Sequence, residues 1–223
     1  MAILVYVLMA VASVCAAVGA AVFQYWYRSE EKPTVQEAIA AQKSKPVTLA
    51  VFLVLYVAFM IVSILFYQQK NVTLSELIQY DLCWEGVMLI SWIDFRIKKI
   101  PNVILLLLLA VRCIGLLVDA VQSPDQMIAS FLSAGSGFLL GGFVILFCML
   151  ISRGGIGAGD VKLFAVLGLY TDAIGIMNIL FYTVFFSCAA AIVLLIGRKA
   201  KMKSSIAMAP FAFLGLNIYY ILL

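Results

Sequence analysis

The stretch Met127–Ser152 reads MIASFLSAGSGFLLGGFVILFCMLIS and carries no charge. A transmembrane helix needs about 20 apolar residues, so this run is long enough to cross a bilayer. Working outward, Met1–Tyr27, Val47–Tyr67, Ala173–Gly197 and Ser204–Leu223 are likewise uncharged. Such lengths favour helices over barrel strands, which take about ten residues of alternating polarity. The whole chain is 65% apolar and 12% charged, with a mean hydropathy of +1.14. A soluble domain is roughly half apolar and a quarter charged. The expected class is therefore an all-α, polytopic helical membrane protein.

Three further crossings are less clean. Leu74–Ile93 carries Glu76, Asp81 and Glu85, and Val103–Val118 carries Arg112. Val161–Tyr170 is short and is expected to turn near Thr171-Asp172 into the next helix. The total is about eight spans. Placing Arg28, Lys32, Lys43, Lys45, Arg96, Lys98, Lys99, Arg153, Lys162, Arg198, Lys199, Lys201 and Lys203 on one side accounts for 13 of the 15 basic residues. Eight alternating spans then satisfy the positive-inside rule with both termini outside. The net charge of +4 reads as topology, not as nucleic-acid binding.

Residues 1–223 are expected to form a single integral-membrane domain, with 28–46 a short cytoplasmic loop. Met1–Tyr27 lacks a basic n-region and is too long for an h-region, so it reads as a retained helix rather than a signal peptide. Ser133, Gly137 and Gly141 recur at every fourth position, a small-residue face that reads as helix packing.

Two acids stand out. Asp160 closes Gly154-Gly155-Ile156-Gly157-Ala158-Gly159-Asp160, and Lys162 follows it. Asp94 ends an apolar run and precedes Arg96, Lys98, Lys99 and Ile100-Pro101-Asn102. Each alone has a bland reading: an acidic helix cap in a Gly-rich turn, and an interfacial acid offset by neighbouring cations. Both, however, fall at cytoplasmic ends of spans, and acids within membrane segments are functional by default. Gly157 and Gly159 are expected to permit unusual backbone angles and close approach of a peptide, with Lys162 orienting the loop. Pro101 suits the start of the next helix.

Two adjacent carboxylates cannot easily both ionise, so such a pair shares a proton. The ionised member can take a proton from water while the other donates to a carbonyl oxygen. That chemistry hydrolyses a peptide bond without histidine, thiol, metal or cofactor. The chain has no histidine, and Cys15, Cys83, Cys113, Cys148 and Cys188 lie in apolar spans at no metal-ligand spacing.

Asp94 followed by Ile100-Pro101-Asn102, then Gly157-Ala158-Gly159-Asp160-Val161-Lys162-Leu163, resembles the type IV prepilin peptidases, GxGD-type intramembrane aspartyl proteases. Ala209-Pro210-Phe211 resembles that family's Pro-Phe segment. The resemblance runs from Leu82 to the C-terminus, which makes 82–223 the expected peptidase core. It implies that Asp94 and Asp160 are the catalytic pair. Residues Gly157, Gly159, Lys162, Pro101 and Asn102 would bind substrate or shape the site. The implied substrates are prepilin-like proteins or pseudopilins with short basic leaders, cut at the cytoplasmic boundary of the inner or plasma membrane. Many members carry paired CxxC zinc motifs in a loop linked to N-methylation; Arg28–Pro46 has no cysteine, which implies a peptidase-only form. Three rival readings stay open: a related peptidase with another substrate, such as an archaeal preflagellin or a competence pseudopilin, a proton-coupled transporter using the same aspartates, and an inactive scaffold.

Glu85 and Arg112 form a separate expectation. Each lies roughly 14–17 Å from the cytoplasmic end if its segment is helical. A structural Glu85–Arg112 ion pair at mid-membrane would lower the cost of burying both.

Overall fold

The computed structural model describes residues 73–152, 155–197 and 207–222, together with Val54. The expected spans Met1–Tyr27 and Val47–Tyr67 and the loop 28–46 lie outside the described residues. The chain divides into two compact units, Met1–Leu77 and Ile78–Leu223. The second contains nearly all of the described structure.

Every regular element among the described residues is helical. Numbered from the first described helix, they are α1 (Leu74–Ile97), α2 (Asn102–Gln122), α3 (Met127–Ile151), α4 (Ala158–Tyr170), α5 (Ala173–Ile196) and α6 (Ala209–Leu222). A 3-10 turn, Pro124–Gln126, joins α2 to α3. Among the described residues, three segments are long and apolar enough to cross a membrane: Asn102–Gln122, Pro124–Ile151 and Ala173–Ile196. Their outward faces expose large apolar side chains, including Leu106, Leu107, Leu139, Phe143, Phe181 and Val193. In a bilayer that surface meets lipid, and the helix satisfies its own backbone.

The start of α1 explains one of the charges that blurred its reading. Glu76 Oε2 accepts from the Thr73 main-chain N–H and hydroxyl, both at 3.0 Å, and the Glu76 N–H donates to Thr73 Oγ1 at 3.3 Å. This is a reciprocal capping box, Thr-x-x-Glu. Helix α1 then packs on α6 through Trp84, whose indole N–H donates to Asn217 Oδ1 at 3.0 Å and whose ring tilts against Phe213.

Helix α4 is the centre of the described bundle. Leu163, Phe164, Ala165, Val166, Leu167, Gly168 and Tyr170 are all buried. A helix apolar on every side belongs inside a fold. At 13 residues it spans only about 20 Å, less than the ~30 Å of a hydrocarbon core. It stops at Thr171, in extended conformation, and Asp172 caps α5 by accepting from the Gly175 N–H at 2.6 Å. The turn expected at Thr171-Asp172 is thus present.

Glycine lets α3 and α4 touch backbone to backbone. A Cβ on Gly168 would collide with the main chain of Gly137, and one on Gly141 with the Phe164 carbonyl. The expected small-residue face of α3 therefore packs through Gly137 and Gly141, whereas Ser133 is exposed. Gly168→Ala is expected to destabilise the fold by about 2 kcal/mol, because backbone cannot yield as a side-chain tip can. Gly135→Ala, where a Cβ meets nothing within 4 Å, should be neutral or stabilise by up to ~1 kcal/mol. Unfolding in mixed detergent measures both.

Candidate active site

Asp94 lies in the last turn of α1 and Asp160 in the first turn of α4, beyond the apolar parts of their helices. Asp94 is only 5% exposed, an unusual burial for a carboxylate. Its Oδ2 accepts from the Ala209 N–H at 3.0 Å, the first residue of α6. Helix N-termini carry unpaired N–H groups and partial positive charge, both of which favour an ionised carboxylate. The chain then leaves α1 through Lys98, which adopts the left-handed φ of 56° and donates its N–H to the Asp94 carbonyl at 2.8 Å. For a residue other than glycine that conformation costs roughly 1–2 kcal/mol. It turns the chain within four residues toward Pro101, the N-cap of α2.

Asp160 is held by its own turn. Gly157 is the N-cap of α4, and its N–H donates to Asp160 Oδ2 at 3.1 Å. The Asp160 N–H returns to the Gly157 carbonyl at 3.1 Å. Asp160 is therefore the third residue of its helix, not the cap. Gly157 has an ordinary extended backbone, φ −83° and ψ 151°, so its value is not an unusual angle. It is space: a Cβ there would stand 3.3 Å from Asp160 Oδ2. Gly159 likewise leaves room for Ile100, whose Cβ would stand 3.0 Å from an added methyl.

The two sequence motifs meet. Lys162 Nζ donates to Asn102 Oδ1 at 3.1 Å, tying the second turn of α4 to the first turn of α2. Asp94 is close enough for its charge to act on Asp160. Burial, foremost, pushes the Asp160 carboxyl from 3.8 to about 6; the Gly157 N–H opposes this and the Asp94 charge adds to it. Burial also raises the Asp94 carboxyl, against the N–H groups of Ala209 and Met208 and the charge of Lys98. Burial thus raises both carboxyls, and two acids so placed can hold one proton between them.

The family model for the type IV leader peptidase family matches residues 82–196. The chain belongs to the type IV leader peptidase family. It is 29% identical over 136 residues to the prepilin leader peptidase/N-methyltransferase of Bacillus subtilis (strain 168). The match covers 60% of this chain and 52% of that protein, so the chain spans about half the length of the curated relative it matches. No solved structure matches.

Arg112, the basic half of the expected Glu85–Arg112 pair, lies beside a second acid. Its guanidinium lies 4.0 Å from Asp119 Oδ2, an acid that depth along the helices did not suggest. Arg112 and Asp119 lie two turns apart on one helix face, a spacing that could have flagged them. The main-chain N–H of Ala209 was also missed as a partner of Asp94. Its only signal was the Ala-Pro-Phe resemblance, which named a segment without a contact.

The half-buried Asp160 carboxyl carries a stability signature. The folded Asp160 pKa lies above its ordinary 3.8. Its stabilising protonation is complete below that value and is lost as pH rises through about 6. The unfolding temperature of the purified protein should therefore fall across that window. Asp160→Asn should reduce the fall, and an unchanged pH slope in that variant would remove Asp160 as its source.

Proposed function

We propose that this protein is an intramembrane aspartyl endopeptidase that removes short basic leaders from prepilin-like or pseudopilin substrates. The observation that carries the reading is the pairing of buried Asp94 with half-buried Asp160, near enough for one charge to act on the other, at the ends of two helices in a chain of the type IV leader peptidase family. Asp94, ionised and held by the α6 N-terminus, takes a proton from water. The resulting oxygen attacks the scissile carbonyl carbon, while Asp160 gives its proton to the carbonyl oxygen. In the collapse, Asp160 takes back the proton of one hydroxyl of the diol. Asp94 gives its own proton to the leaving amine as the C–N bond breaks. Both acids return to their starting states, and the apparent pKa values belong to the pair.

The remaining residues serve this step. Gly157 and Gly159 keep the approach to Asp160 open, and the Lys162–Asn102 bond holds the turns beside it. Pro101 fixes where α2 begins. The peptidase core is residues 82–223, within one membrane domain of eight spans with both ends of the sequence outside. Arg96, Lys98, Lys99 and Lys162 then lie with the dyad on the cytoplasmic side of the inner or plasma membrane. A substrate whose leader is basic leaves it on that side, and its apolar helix enters the bilayer beside α4. Arg28–Pro46 contains no cysteine, which supports cleavage without N-methylation.

The test is a basic-leader substrate and its acidic-leader counterpart, each co-reconstituted with the protein in vesicles. The basic leader should be released at least tenfold faster. Equal release of both, or none of either, would count against the reading.

A further inference from the structure

A second polar cluster ties together the three helices that carry the dyad and Asn102, but at their far ends. Arg112 lies about 15 Å along α2 from Asn102. Its Nε donates to the Leu169 carbonyl at 2.8 Å. That carbonyl belongs to the last turn of α4, where carbonyls lack helical partners and the helix end is negative. Arg112 thus caps the far end of the helix whose first turn holds Asp160. The Arg112 Nη1 also donates to Gln79 Oε1 on α1, the helix that ends in Asp94. Gln79 Nε2 donates to Asp119 Oδ2 at 3.1 Å, and the same oxygen lies 4.0 Å from Arg112 Nη1. Gln79 is 3% exposed. Its amide fits because residue 115 is glycine; a Cβ there would overlap it.

Arg112 on α2 bonds to the end of α4 through the Leu169 carbonyl and to α1 through Gln79, which in turn donates to Asp119 on α2, so sliding α1 against α4 breaks the cluster. A slip of one residue is about 1.5 Å of axial travel, and a misplacement of about 1 Å at a reacting centre can cost roughly 100-fold in rate. We propose that Arg112, Gln79 and Asp119 form a positioning clamp that sets the relative height of α1 and α4 and so keeps Asp94 facing Asp160. Its catalytic consequence rests on the peptidase reading; its geometric consequence does not.

Gln79→Glu tests the clamp, because it sets two carboxylates against each other at positions 79 and 119. Adding Asp119→Asn restores the pattern: the new glutamate accepts from Arg112 and from the new amide. Gln79→Glu is expected to lower kcat by about 100-fold with KM within about threefold. The double variant should recover to within about threefold of wild-type kcat. In parallel, spin labels at Phe95→Cys and Ala158→Cys, with the five native cysteines replaced by alanine, report the distance across the site. The distance distribution should broaden in Gln79→Glu and narrow again in the double variant. Gly115→Ala, which displaces the Gln79 amide without changing charge, should broaden it too if Gln79→Glu does not fold. Wild-type label distances in these variants, or a double variant no better than Gln79→Glu, would overturn the clamp. Wild-type protein that cleaves nothing would sink the peptidase reading instead, and the label distances would still decide the clamp.

Discussion

Asp94→Asn and Asp160→Asn are each expected to lower kcat/KM for leader cleavage by about 10³-fold or more, at the upper range for loss of a positioned acid or base. The substitution keeps the size of the side chain and removes its proton chemistry. At position 94 the amide can still accept from the Ala209 N–H that now sits 3.0 Å from Oδ2, so α6 should keep its start. The amide cannot take a proton from water at neutral pH. At position 160 the amide can accept from the Gly157 N–H through its oxygen, as Oδ2 does now at 3.1 Å. It has no acidic proton to give. Neither variant should lose stability in proportion to its activity, because each removes a buried group that can carry charge. Steady-state cleavage beside thermal unfolding separates the two effects. A variant that is inactive only because it is unfolded would leave the dyad without support.

The second large effect is expected at Gly157. Its φ and ψ are extended, a conformation that alanine and valine adopt without strain. The main-chain N–H would still be available to Asp160. Only the added side chain matters, since a Cβ would lie 3.3 Å from Asp160 Oδ2 and a branched side chain adds two more carbons beside it. Gly157→Ala should lower kcat by about tenfold and Gly157→Val by about 100-fold, from displacement of the carboxyl by a fraction of an ångström or more. Stability should change by less than ~1 kcal/mol, since the residue is exposed. Full activity in Gly157→Val would show that the space beside Asp160 is not needed.

The membrane helices were the most legible part of the chain. The uncharged runs Met127–Ser152 and Ala173–Gly197 became Met127–Ile151 and Ala173–Ile196. Lipid explains the agreement, because a spanning backbone must bond within its own segment, so the apolar run and the helix end together. The positions of Asp94 and Asp160 at helix ends were legible for the same reason. What glycine does beside Asp160 was not. Glycine in a sequence signals freedom of angle and freedom from bulk alike, and only packing tells them apart; here Gly157 and Gly159 supply space. The partners of buried charge were equally hidden. Depth along a helix suggested Glu85 for Arg112 and gave no sign of Asp119, Gln79 and the end of α4, which also meet its guanidinium. Gln79 carries no charge and so gave no sign of its place in that network. The Ala209 N–H that holds Asp94 belongs to the backbone of a helix 115 residues away, and no side-chain pattern encodes such a donor.

The most direct measurement is the mass of the products formed from a prepilin-like substrate by the reconstituted protein and by its Asp94→Asn/Asp160→Asn double variant. The account requires one cut by the wild type, between the basic leader and the apolar helix, and intact substrate with the double variant. The same cut made by the double variant at the wild-type rate would contradict it.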